Sequence, residues 1–459
     1  MLSEYLIHGI YVVPIVIVLW IYLRGRAKHT TESIAVRDES IAAGLTEPPS
    51  LHPVIDNIRC IGSGGCIKVC PEHALGMVNG KAVLVNPSAC IGHGACAAAC
   101  PMTAIKLVFG TERRGMEIPV VNPDFQTNIP GMFIAGELGG MGLIRKSAEQ
   151  GNQAITSIEK LLKTKRPEGV DFDVVIVGAG PAGLGASLTA TAAKLRYVTL
   201  EQETNLGGSV LHYPRAKIAM TAPLTLPLVG KVNFSEVSKE KLLEFWEHTV
   251  KTHGLKIRFN ERMTEIKRVA GGFEVVTSAG TYRTATVLLA IGRRGTPRKL
   301  GVEGEDLSKV VYRLLEPEQY RHQHVLVVGG GDSAVEAGLA LAEAPDVTVT
   351  LSYRGEAFGR IKTKNRKRLE EATAARSLSV MLSSQVKRLS DSEAVLSTPT
   401  GESIIKNHAA IVCAGGELPT KLLVSLGVTV ATHYGETEAA PKSRTTTPRP
   451  RPRREPPKK

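Results

Sequence analysis

Apolar residues along the chain form runs of two kinds, and each kind predicts a different element. Residues 5–23 make a long apolar stretch that contains no Asp, Glu, Lys or Arg and whose only ionisable side chains are His8 and the tyrosines. Two shorter runs, DFDVVIV from Asp171 and HVLVV from His324, each lead into a glycine-rich turn and then into a segment of small residues. This order predicts a buried strand, a turn and a helix in both places. We therefore expect an α/β protein with one long apolar helix at its N-terminus.

The N-terminal stretch is long enough to cross a lipid bilayer. Its 19 residues, at about 1.5 Å per helical residue, span roughly 28 Å, close to the thickness of the hydrocarbon core. Arg24, Arg26 and Lys28 follow it directly, and no small-residue cleavage site appears, which disfavours a removable signal peptide. The positive-inside rule then predicts a single-pass inner-membrane protein with its catalytic part in the cytoplasm. The alternative is an amphipathic or core helix.

The net charge is +13 over 459 residues, and its distribution disfavours nucleic acid as a partner. Residues 441–459 hold eight Lys or Arg against one Glu, which is more than half of the excess. Because this segment is rich in proline and nearly free of apolar side chains, we expect it to be disordered, either touching anionic lipid or without a partner. The length of the chain predicts two to four domains.

Six of the seven cysteines fall into two similar runs, CIGSGGCIKVCP and CIGHGACAAACP. Each follows the spacing C-x2-C-x2-C-x3-C-P except at the second position. The ligand candidates are Cys60, Cys66 and Cys70 with Ser63 in the first run, and Cys90, Cys96 and Cys100 with His93 in the second. Both replacements carry an oxygen or nitrogen able to bind iron, and random decay would rarely strike the same position twice. The pattern favours iron–sulfur clusters over the alternatives, a zinc site or disulfides.

Residues 54–108 resemble the bacterial dicluster ferredoxins, in which the fourth cysteine of each run serves the other cluster. The resemblance implies one cluster on Cys60, Cys66 and Cys100, and another on Cys70, Cys90 and Cys96. With three thiolates each, the clusters are either 3Fe-4S, or 4Fe-4S completed by Ser63, His93 or water. His93 is the better candidate, because a neutral imidazole is a common metal ligand whereas a serine hydroxyl must first lose its proton; otherwise both residues only line their loops. Cys413 lies in an apolar stretch and is interpreted as a buried structural thiol.

The first glycine-rich turn has the full context of a dinucleotide site. Gly178, Gly180 and Gly183 form G-x-G-x-x-G between the strand and the helix, and Glu201 ends the following strand. Such glycines let the backbone approach a pyrophosphate, and the acid binds ribose hydroxyls. We predict a Rossmann-like, three-layer domain here.

The second turn carries Gly329, Gly331 and Ala334 as G-x-G-x-x-A, again between a strand and a helix. The next strand ends without Asp or Glu, and Arg354 and Arg360 follow it. Where the acid is absent and arginines are near, a 2′-phosphate can be accommodated. NADPH is therefore favoured over NADH, unless both arginines belong to a solvated loop.

Residues 113–432 resemble the flavoproteins of the thioredoxin reductase type, which include ferredoxin–NADP reductases and bacillithiol-disulfide reductases. The stretch LGG at 206–208 matches the loop near the flavin, so the resemblance implies FAD at the first site and NAD(P)H at the second. The residues it implies for FAD are Gly178, Gly180, Ala182, Gly183, Glu201, Gln202, Gly207, Gly208, Gly136 and Glu137. Those it implies for NAD(P)H are Gly329, Gly331, Asp332, Ser333, Ala334, Arg354 and Arg360.

Two departures from that family matter. The thioredoxin reductases carry a redox-active C-x-x-C in the nicotinamide domain, and between residues 296 and 415 this chain has only Cys413. The family's flavin-closing segment, normally last, stands ahead of the first fingerprint at 120–162, with Gly136 and Glu137 in place of its GD. We interpret this order as a circular permutation, in which residues 113–162 fold back onto the first domain.

The predicted architecture has two Rossmann-like three-layer domains, a small α+β module and one transmembrane helix. The predicted order is a transmembrane anchor (1–28), a linker (29–53), a ferredoxin-like module (54–108), a flavin-closing segment (113–162), a first domain for FAD (171–295), a second domain for NAD(P)H (296–432) and a disordered basic tail (433–459).

These parts predict an NAD(P)H-dependent flavoprotein oxidoreductase. Electrons would pass from NAD(P)H through FAD to two iron–sulfur clusters and on to an acceptor at the membrane, a redox protein or a quinone. One alternative is a disulfide reductase, and another is a redox-sensing or docking subunit without turnover of its own. A homodimer is also allowed for.

Overall fold

The computed structural model describes most of the chain. It covers residues 2–435 except 43, 49–50, 113–114, 141, 165–166, 214–217, 221–222, 235, 294–296 and 360, and the side chains of 2–12, 22, 220 and 363 lie outside the description as well. Two of the predictions above therefore lie outside the described residues, namely Arg360 and nearly all of the basic tail.

The chain begins with a 41-residue helix, α1 (Leu2–Ala42), which passes through Pro14. The helix continues where the sequence predicted a linker, and its later turns pack on the ferredoxin-like module. The Met77 N–H donates a hydrogen bond of 3.1 Å to Ser33 Oγ, and a β-carbon at Gly76 would lie 2.8 Å from Ser33 Cβ. Within the described residues, no helix combines the length and the apolarity needed to cross a bilayer, so the structure does not support the predicted anchor at 1–28.

The ferredoxin-like module contains two antiparallel strand pairs and two short helices. Its elements are β1 (His52–Ile55), α2 (Gly65–Lys68), β2 (Leu75–Val78), β3 (Lys81–Leu84), α3 (Ala95–Ala98) and β4 (Ile105–Val108). Strand β1 pairs with β4, and β2 pairs with β3. Buried cysteines share the small core with Leu75, Ala82 and Ile105, so the interior of the module is built around thiols.

The flavin-closing segment and the first domain form one layered unit. The segment contributes β5 (Met116–Pro119), β6 (Met132–Ile134) and α4 (Ile144–Thr164). The domain contributes β7 (Phe172–Val177), α5 (Pro181–Ala192), β8 (Tyr197–Leu200), β9 (Ile218–Met220), β10 (Leu224–Leu226), β11 (Gly230–Val232), β12 (Glu236–Ser238), α6 (Lys239–His253), β13 (Ile257–Arg258), β14 (Met263–Val269), β15 (Gly272–Thr277) and β16 (Thr281–Leu289). The main sheet runs β13-β8-β7-β16-β15-β14, and β6 joins it by pairing in parallel with β16.

Helix α4 lies directly on α5. A β-carbon at Gly151 of α4 would overlap the carbonyl oxygen of Ala182 in α5, and one at Gly185 of α5 would lie 2.5 Å from the Ala148 oxygen of α4. Ile155 and Ile158 of α4 are fully buried in the core that also holds strand β7. Small residues in both helices therefore allow a close crossing that apolar side chains then fill.

The second domain has a five-stranded parallel sheet in the order β17-β24-β18-β19-β20. Its elements are β17 (Val310–Val311), β18 (His324–Val328), α7 (Asp332–Glu343), β19 (Thr348–Ser352), α8 (Thr363–Ala374), β20 (Ser379–Met381), β21 (Gln385–Leu389), β22 (Glu393–Thr398), β23 (Gly401–Lys406) and β24 (Ala409–Val412). Strands β21, β22 and β23 form a separate antiparallel sheet. The predicted α/β class is confirmed by these two layered domains.

The last described elements return to the closing segment, although the sequence assigned them to the second domain. Helix α9 (Thr420–Ser425) precedes β25 (Val430–His433), which pairs antiparallel with β5. Leu423 and Val428 are buried in the core of the first domain. The Thr429 N–H donates to Asn128 Oδ1 at 2.8 Å, which fixes this return to the closing segment.

Candidate functional site

The six cysteines of the ferredoxin-like module surround two cavities, and no group of three or more His, Cys, Asp or Glu among the described residues converges on a single metal ion. The first cavity is lined by Cys60, Cys66 and Cys100 with Ser63. The second cavity is lined by Cys70, Cys90 and Cys96 with His93. Each cavity thus takes two cysteines from one run and the last cysteine from the other, which is the grouping that the ferredoxin resemblance implies.

The two cysteine loops have matching backbone geometry. Gly64 and Gly94 precede α2 and α3 in the left-handed conformation, with φ of 73° and 77°. A β-carbon at Gly62 would overlap the carbonyl oxygen of Gly80. Glycine accepts both the left-handed conformation and the close backbone approach without strain, because it has no β-carbon. The loops therefore wrap each cavity closely, while the side chains of Ser63 and His93 are exposed at its rim.

Burial makes three of these cysteines poor thiolates unless a cation is present. It raises the pKa of Cys66, Cys90 and Cys96, the last to about 11, and neighbouring cysteines in the same cavity raise these values further. Iron supplies the positive charge that stabilises thiolate, and binding releases the thiol protons. Two buried cysteines and one partly buried cysteine, with one polar side chain at the rim, are a donor set that fits an iron–sulfur cluster, whose thiolates bind different iron atoms.

The first glycine-rich turn is tightly packed. Gly178 has φ 107°, and a β-carbon there would lie 2.9 Å from the Ala290 carbonyl carbon. One carboxylate oxygen of Glu201 accepts a hydrogen bond from the Ala179 N–H at 2.7 Å, and the other accepts from the Glu203 N–H at 3.0 Å. Burial raises the pKa of Glu201, and these N–H groups oppose that rise. The acid therefore connects the end of β8 to the turn.

The remaining residues predicted for the first site lie either against the glycine-rich turn or at the surface. Gly207 and Gly208 have positive φ, and a β-carbon at Gly208 would lie 3.0 Å from Gly180 Cα. Gly183 touches the backbone of Gly178. Gln202 is exposed. The structure thus brings the LGG loop against the glycine-rich turn and leaves Gln202 at the surface.

The closing segment places a short 3-10 turn, Gly136–Gly139, beside the first glycine-rich turn. A β-carbon at Gly136 would lie 2.8 Å from Ala182 Cβ, so this turn borders the first glycine-rich turn. The Gly136 N–H of this turn donates a hydrogen bond to Gln150 Oε1 at 2.9 Å. A β-carbon at Gly142 would lie 3.5 Å from Glu137 Cγ. Gln150 was not predicted from the sequence, because its contact with Gly136 becomes visible only when α4 is placed in the fold.

On its other side this turn meets the ferredoxin-like module. A β-carbon at Gly140, which ends the turn, would lie 2.6 Å from Phe109 Cζ. The Phe109 carbonyl accepts a hydrogen bond of 2.8 Å from the Gly435 N–H, and its ring lies 6.2 Å from that of His433. The sequence did not single out Phe109, whose aromatic side chain gives no signal of its partner.

The second glycine-rich turn follows the same plan. Gly329 has φ 149°, and a β-carbon there would lie 2.9 Å from the Cys413 carbonyl carbon. Ala334 is buried and Ser333 is exposed. Burial raises the pKa of Cys413 to about 11, so this side chain is a thiol rather than a reactive thiolate.

Asp332 and Tyr353 make contacts at the second site that the sequence did not predict. Asp332 Oδ1 accepts hydrogen bonds from the Lys362 N–H at 2.9 Å and from Asn365 Nδ2 at 2.7 Å, so its carboxylate holds the start of α8. The ring of Tyr353 covers Gly330, where any β-carbon would overlap it. Arg354 is exposed at the end of β19.

Comparison with known proteins separates the chain into two matched regions. Residues 175–447 match the family model described as "Pyridine nucleotide-disulphide oxidoreductase". Residues 52–101 match the model described as "4Fe-4S dicluster domain". The first match covers more than half of the chain.

Similar curated proteins include ferredoxin–NADP reductases. That of Pediococcus pentosaceus is 32% identical over 207 residues, which are 44% of this chain and 60% of the relative. That of Picrophilus torridus is 33% identical over 178 residues, 38% of this chain and 51% of the relative. The chain therefore spans between half and two thirds of the length of the curated relatives it matches.

Similar solved structures include bacillithiol disulfide reductase from Staphylococcus aureus, at 24% identity and a TM-score of 0.49 over 56% of this chain and 80% of that chain. Thioredoxin reductase from Lactococcus lactis is similar at 22% identity and a TM-score of 0.44 over 56% and 82%. Likenesses at this level carry no conclusion about activity.

Proposed function

Because the chain belongs to the pyridine nucleotide-disulphide oxidoreductase family, we propose that it is an FAD-dependent NAD(P)H oxidoreductase that delivers electrons to iron–sulfur clusters and then to a redox protein or quinone. FAD, when bound, accepts a hydride from NAD(P)H and releases electrons singly. The observation that carries the proposal is the position of the Gly136–Gly139 turn and Gly140. They contact the first glycine-rich turn through Ala182 and the ferredoxin-like module through Phe109.

Each part of the chain has a separate task in this proposal. The backbone of Gly178 and Gly180 leaves room for the pyrophosphate of FAD, and Glu201 holds the turn and faces the ribose. The cysteines of the two cavities hold the clusters, with Ser63 and His93 at the remaining positions. Whether these are 3Fe-4S or 4Fe-4S centres depends on those two side chains.

We propose NADPH as the preferred reductant. Strand β19 ends at Ser352 without a carboxylate, and exposed Arg354 follows it. An arginine can pair with a 2′-phosphate, whereas a carboxylate would repel it. The curated relatives named ferredoxin–NADP reductases agree with this preference.

We also propose that residues 113–162 are the circularly permuted counterpart of the family's flavin-closing segment. The parallel pairing of β6 with β16 and the close crossing of α4 on α5 support this. The permutation brings the C-terminal end of the ferredoxin-like module next to the flavin site without a separate docking step.

Turnover with different acceptors tests the proposal. Protein loaded with FAD and clusters should oxidise NADPH anaerobically with an artificial one-electron acceptor, reducing two acceptor molecules per NADPH. It should not reduce disulfides, because Cys413 is its only cysteine outside the cluster loops. Disulfide reduction without one-electron turnover would favour the disulfide reductase alternative, and flavin reduction without any turnover would favour a docking subunit.

A matched pair of variants links this turnover to the first site. Gly180 has φ −76°, which any residue adopts, and the nearest atom to a β-carbon there is Gly208 Cα at 3.7 Å. G180V should therefore fold but fill the space of the pyrophosphate, abolishing FAD binding and turnover. Gly280 has open space around it, so G280V should keep both. Equal turnover in the two variants would contradict FAD binding at this turn.

A further inference from the structure

We propose that the two cluster cavities stand in series, with the second cavity, lined by Cys70, Cys90 and Cys96, exchanging electrons with the flavin site, and the first cavity, lined by Cys60, Cys66 and Cys100, exchanging them with the external acceptor. This inference rests on the proposed function, and it adds the order of the two centres.

The antiparallel ribbon formed by β1 and β4 passes both cavities, and the residues that line each cavity give the order of the cavities along it. Ile55 is paired with Ile105, and both line the first cavity. Pro53 is paired with Leu107, and both line the second cavity. Side chains two residues apart share one face of a strand and are about 7 Å apart along it. One face of the ribbon therefore passes first one cavity and then the other.

The chain reaches the flavin-closing segment directly after β4 ends at Val108. Phe109 follows Leu107 by two residues, and its ring packs against Gly140. Phe109 is therefore two residues beyond Leu107, which lines the second cavity, and four beyond Ile105, which lines the first. Because electron transfer slows steeply with distance, the second cavity is the better partner for a flavin beside the Gly136–Gly139 turn.

The first cavity borders a different part of the molecule. Met77 of β2 approaches it, since a β-carbon at Gly62 or at Gly64 would lie 3.8 Å from atoms of the Met77 side chain. The Met77 N–H is bound to Ser33 of α1. At the cavity rim, Ile61 is 62% exposed and Met102 is 44% exposed. Apolar side chains at the rim of the first cavity are therefore exposed to a partner.

Nearby charges favour the same direction. Lys81 Nζ donates a hydrogen bond of 2.6 Å to the Cys60 carbonyl of the first cavity, and a cation stabilises the reduced, more negative state of a cluster. Glu72 lines the second cavity, and its carboxylate disfavours added negative charge there. The reduction potential should therefore be higher in the first cavity.

The electron balance needs no further reagent. NADPH gives two electrons and a proton as a hydride to the flavin site, becoming NADP⁺. With FAD and both clusters bound, each later transfer would move one electron from the flavin site to the second cavity and then to the first, where the external acceptor would be reduced. Two such transfers per NADPH leave one proton released to solvent, and no covalent bond forms between the centres.

Two matched substitutions test the order. Cys66 and Cys96 occupy equivalent positions in α2 and α3, and both are buried. In C66A and C96A holoprotein, rapid freezing after anaerobic mixing with NADPH, followed by electron paramagnetic resonance, measures reduction of the remaining cluster. Dithionite serves as a reductant that bypasses the flavin, and bleaching of the flavin reports hydride transfer.

In C66A the remaining cluster should be reduced by NADPH as fast as in the wild type. In C96A the flavin should bleach normally, but NADPH-driven reduction of the remaining cluster should be lost while dithionite still reduces it. The reverse pattern, or normal reduction in both variants, would overturn the series order. If NADPH reduces no cluster even in the wild type while dithionite does, the proposed function itself fails.

A second pair keeps the test decisive if either alanine variant fails to assemble. S63C and H93C restore the missing cysteine of each run and should lower the potential of one cluster each, since thiolate is more negative than a hydroxyl or imidazole. Redox titration identifies the shifted cluster. H93C should slow NADPH-driven reduction of both clusters, whereas S63C should slow only that of its own. Equal effects of the two substitutions would contradict the order.

Discussion

Replacing Gly151 by alanine tests whether α4 is held against the first domain as the structure has it. Gly151 lies inside α4, and a β-carbon there would overlap the Ala182 carbonyl oxygen and lie 2.9 Å from its carbon and 3.0 Å from the Ala186 nitrogen. All three are backbone atoms of α5, so no side-chain rotation relieves the contact. Ordinary contact begins near 3.4 Å. The helices must therefore separate by more than the 0.5 Å difference between 3.4 and 2.9 Å, because the Ala182 oxygen lies closer still than the carbon.

The informative result is whether G151A raises or lowers the free energy of unfolding. Glycine to alanine in a helix interior normally stabilises by about 0.5–1 kcal/mol. Overpacking against rigid backbone costs about 1–3 kcal/mol, and it also loosens Ile155 and Ile158, which are fully buried on the same helix. The free energy of unfolding should therefore fall by roughly 1–2 kcal/mol in G151A. Since Gly136 also contacts Ala182, the affinity for FAD should weaken by about tenfold for each 1.4 kcal/mol lost at this contact.

Chemical denaturation and titration with FAD, followed by flavin fluorescence, measure both effects. G25A is the matched control, because Gly25 is also inside a helix and a β-carbon there meets nothing within 4 Å. The control should be neutral or slightly stabilising and should bind FAD normally. If G151A behaves like G25A, α4 does not cross α5 closely and residues 113–162 do not close the flavin site.

Three further predictions concern charge and thiol reactivity. R354Q should raise KM for NADPH by roughly tenfold and leave KM for NADH unchanged in steady-state assays, and equal effects on both would remove Arg354 from 2′-phosphate recognition. Burial alone would raise the pKa of Glu305, but hydrogen bonds from the Leu300 and Gly301 N–H groups and Tyr312 lower it below its ordinary value of 4.5. Its stabilisation is therefore present above that value and lost as pH falls through the folded-state pKa, so E305Q should flatten the acid branch of a stability–pH curve, and an unchanged branch would contradict the assignment. After iron is removed, Cys96 and Cys413, whose pKa values burial raises to about 11, should both be alkylated slowly at neutral pH, and rapid labelling of either residue in mass spectrometry would contradict its thiol state.

Much of the site follows from local sequence, because its demands are local. Gly64 and Gly94 take positive φ beside cysteines at fixed spacing, and such spacing is visible in the chain without knowledge of the fold. The same holds for Gly178 and Gly329, where a strand, a tight turn and a helix succeed one another. In these places the residue type and its neighbours determine the geometry.

The individual contacts that join the modules are not local, and the sequence does not specify them. The packing of Phe109 on Gly140 depends on the meeting of two segments whose sequences carry no mark of each other. Strand β25, only four residues long, gains its partner β5 from a point some 300 residues earlier. Likewise, α1 extends over residues predicted to be a linker because Ser33 finds the backbone of Met77. Tertiary contact decides such elements against weak local preference.

The central claim is that reducing equivalents from NADPH reach iron–sulfur clusters inside this chain. Anaerobic iron and sulfide analysis, with electron paramagnetic resonance before and after addition of NADPH, tests it most directly. We expect two clusters per chain whose signals change when NADPH is added, with the oxidised spectrum distinguishing 3Fe-4S from 4Fe-4S centres. Flavin that bleaches in carefully anaerobic protein without any cluster signal would contradict the account.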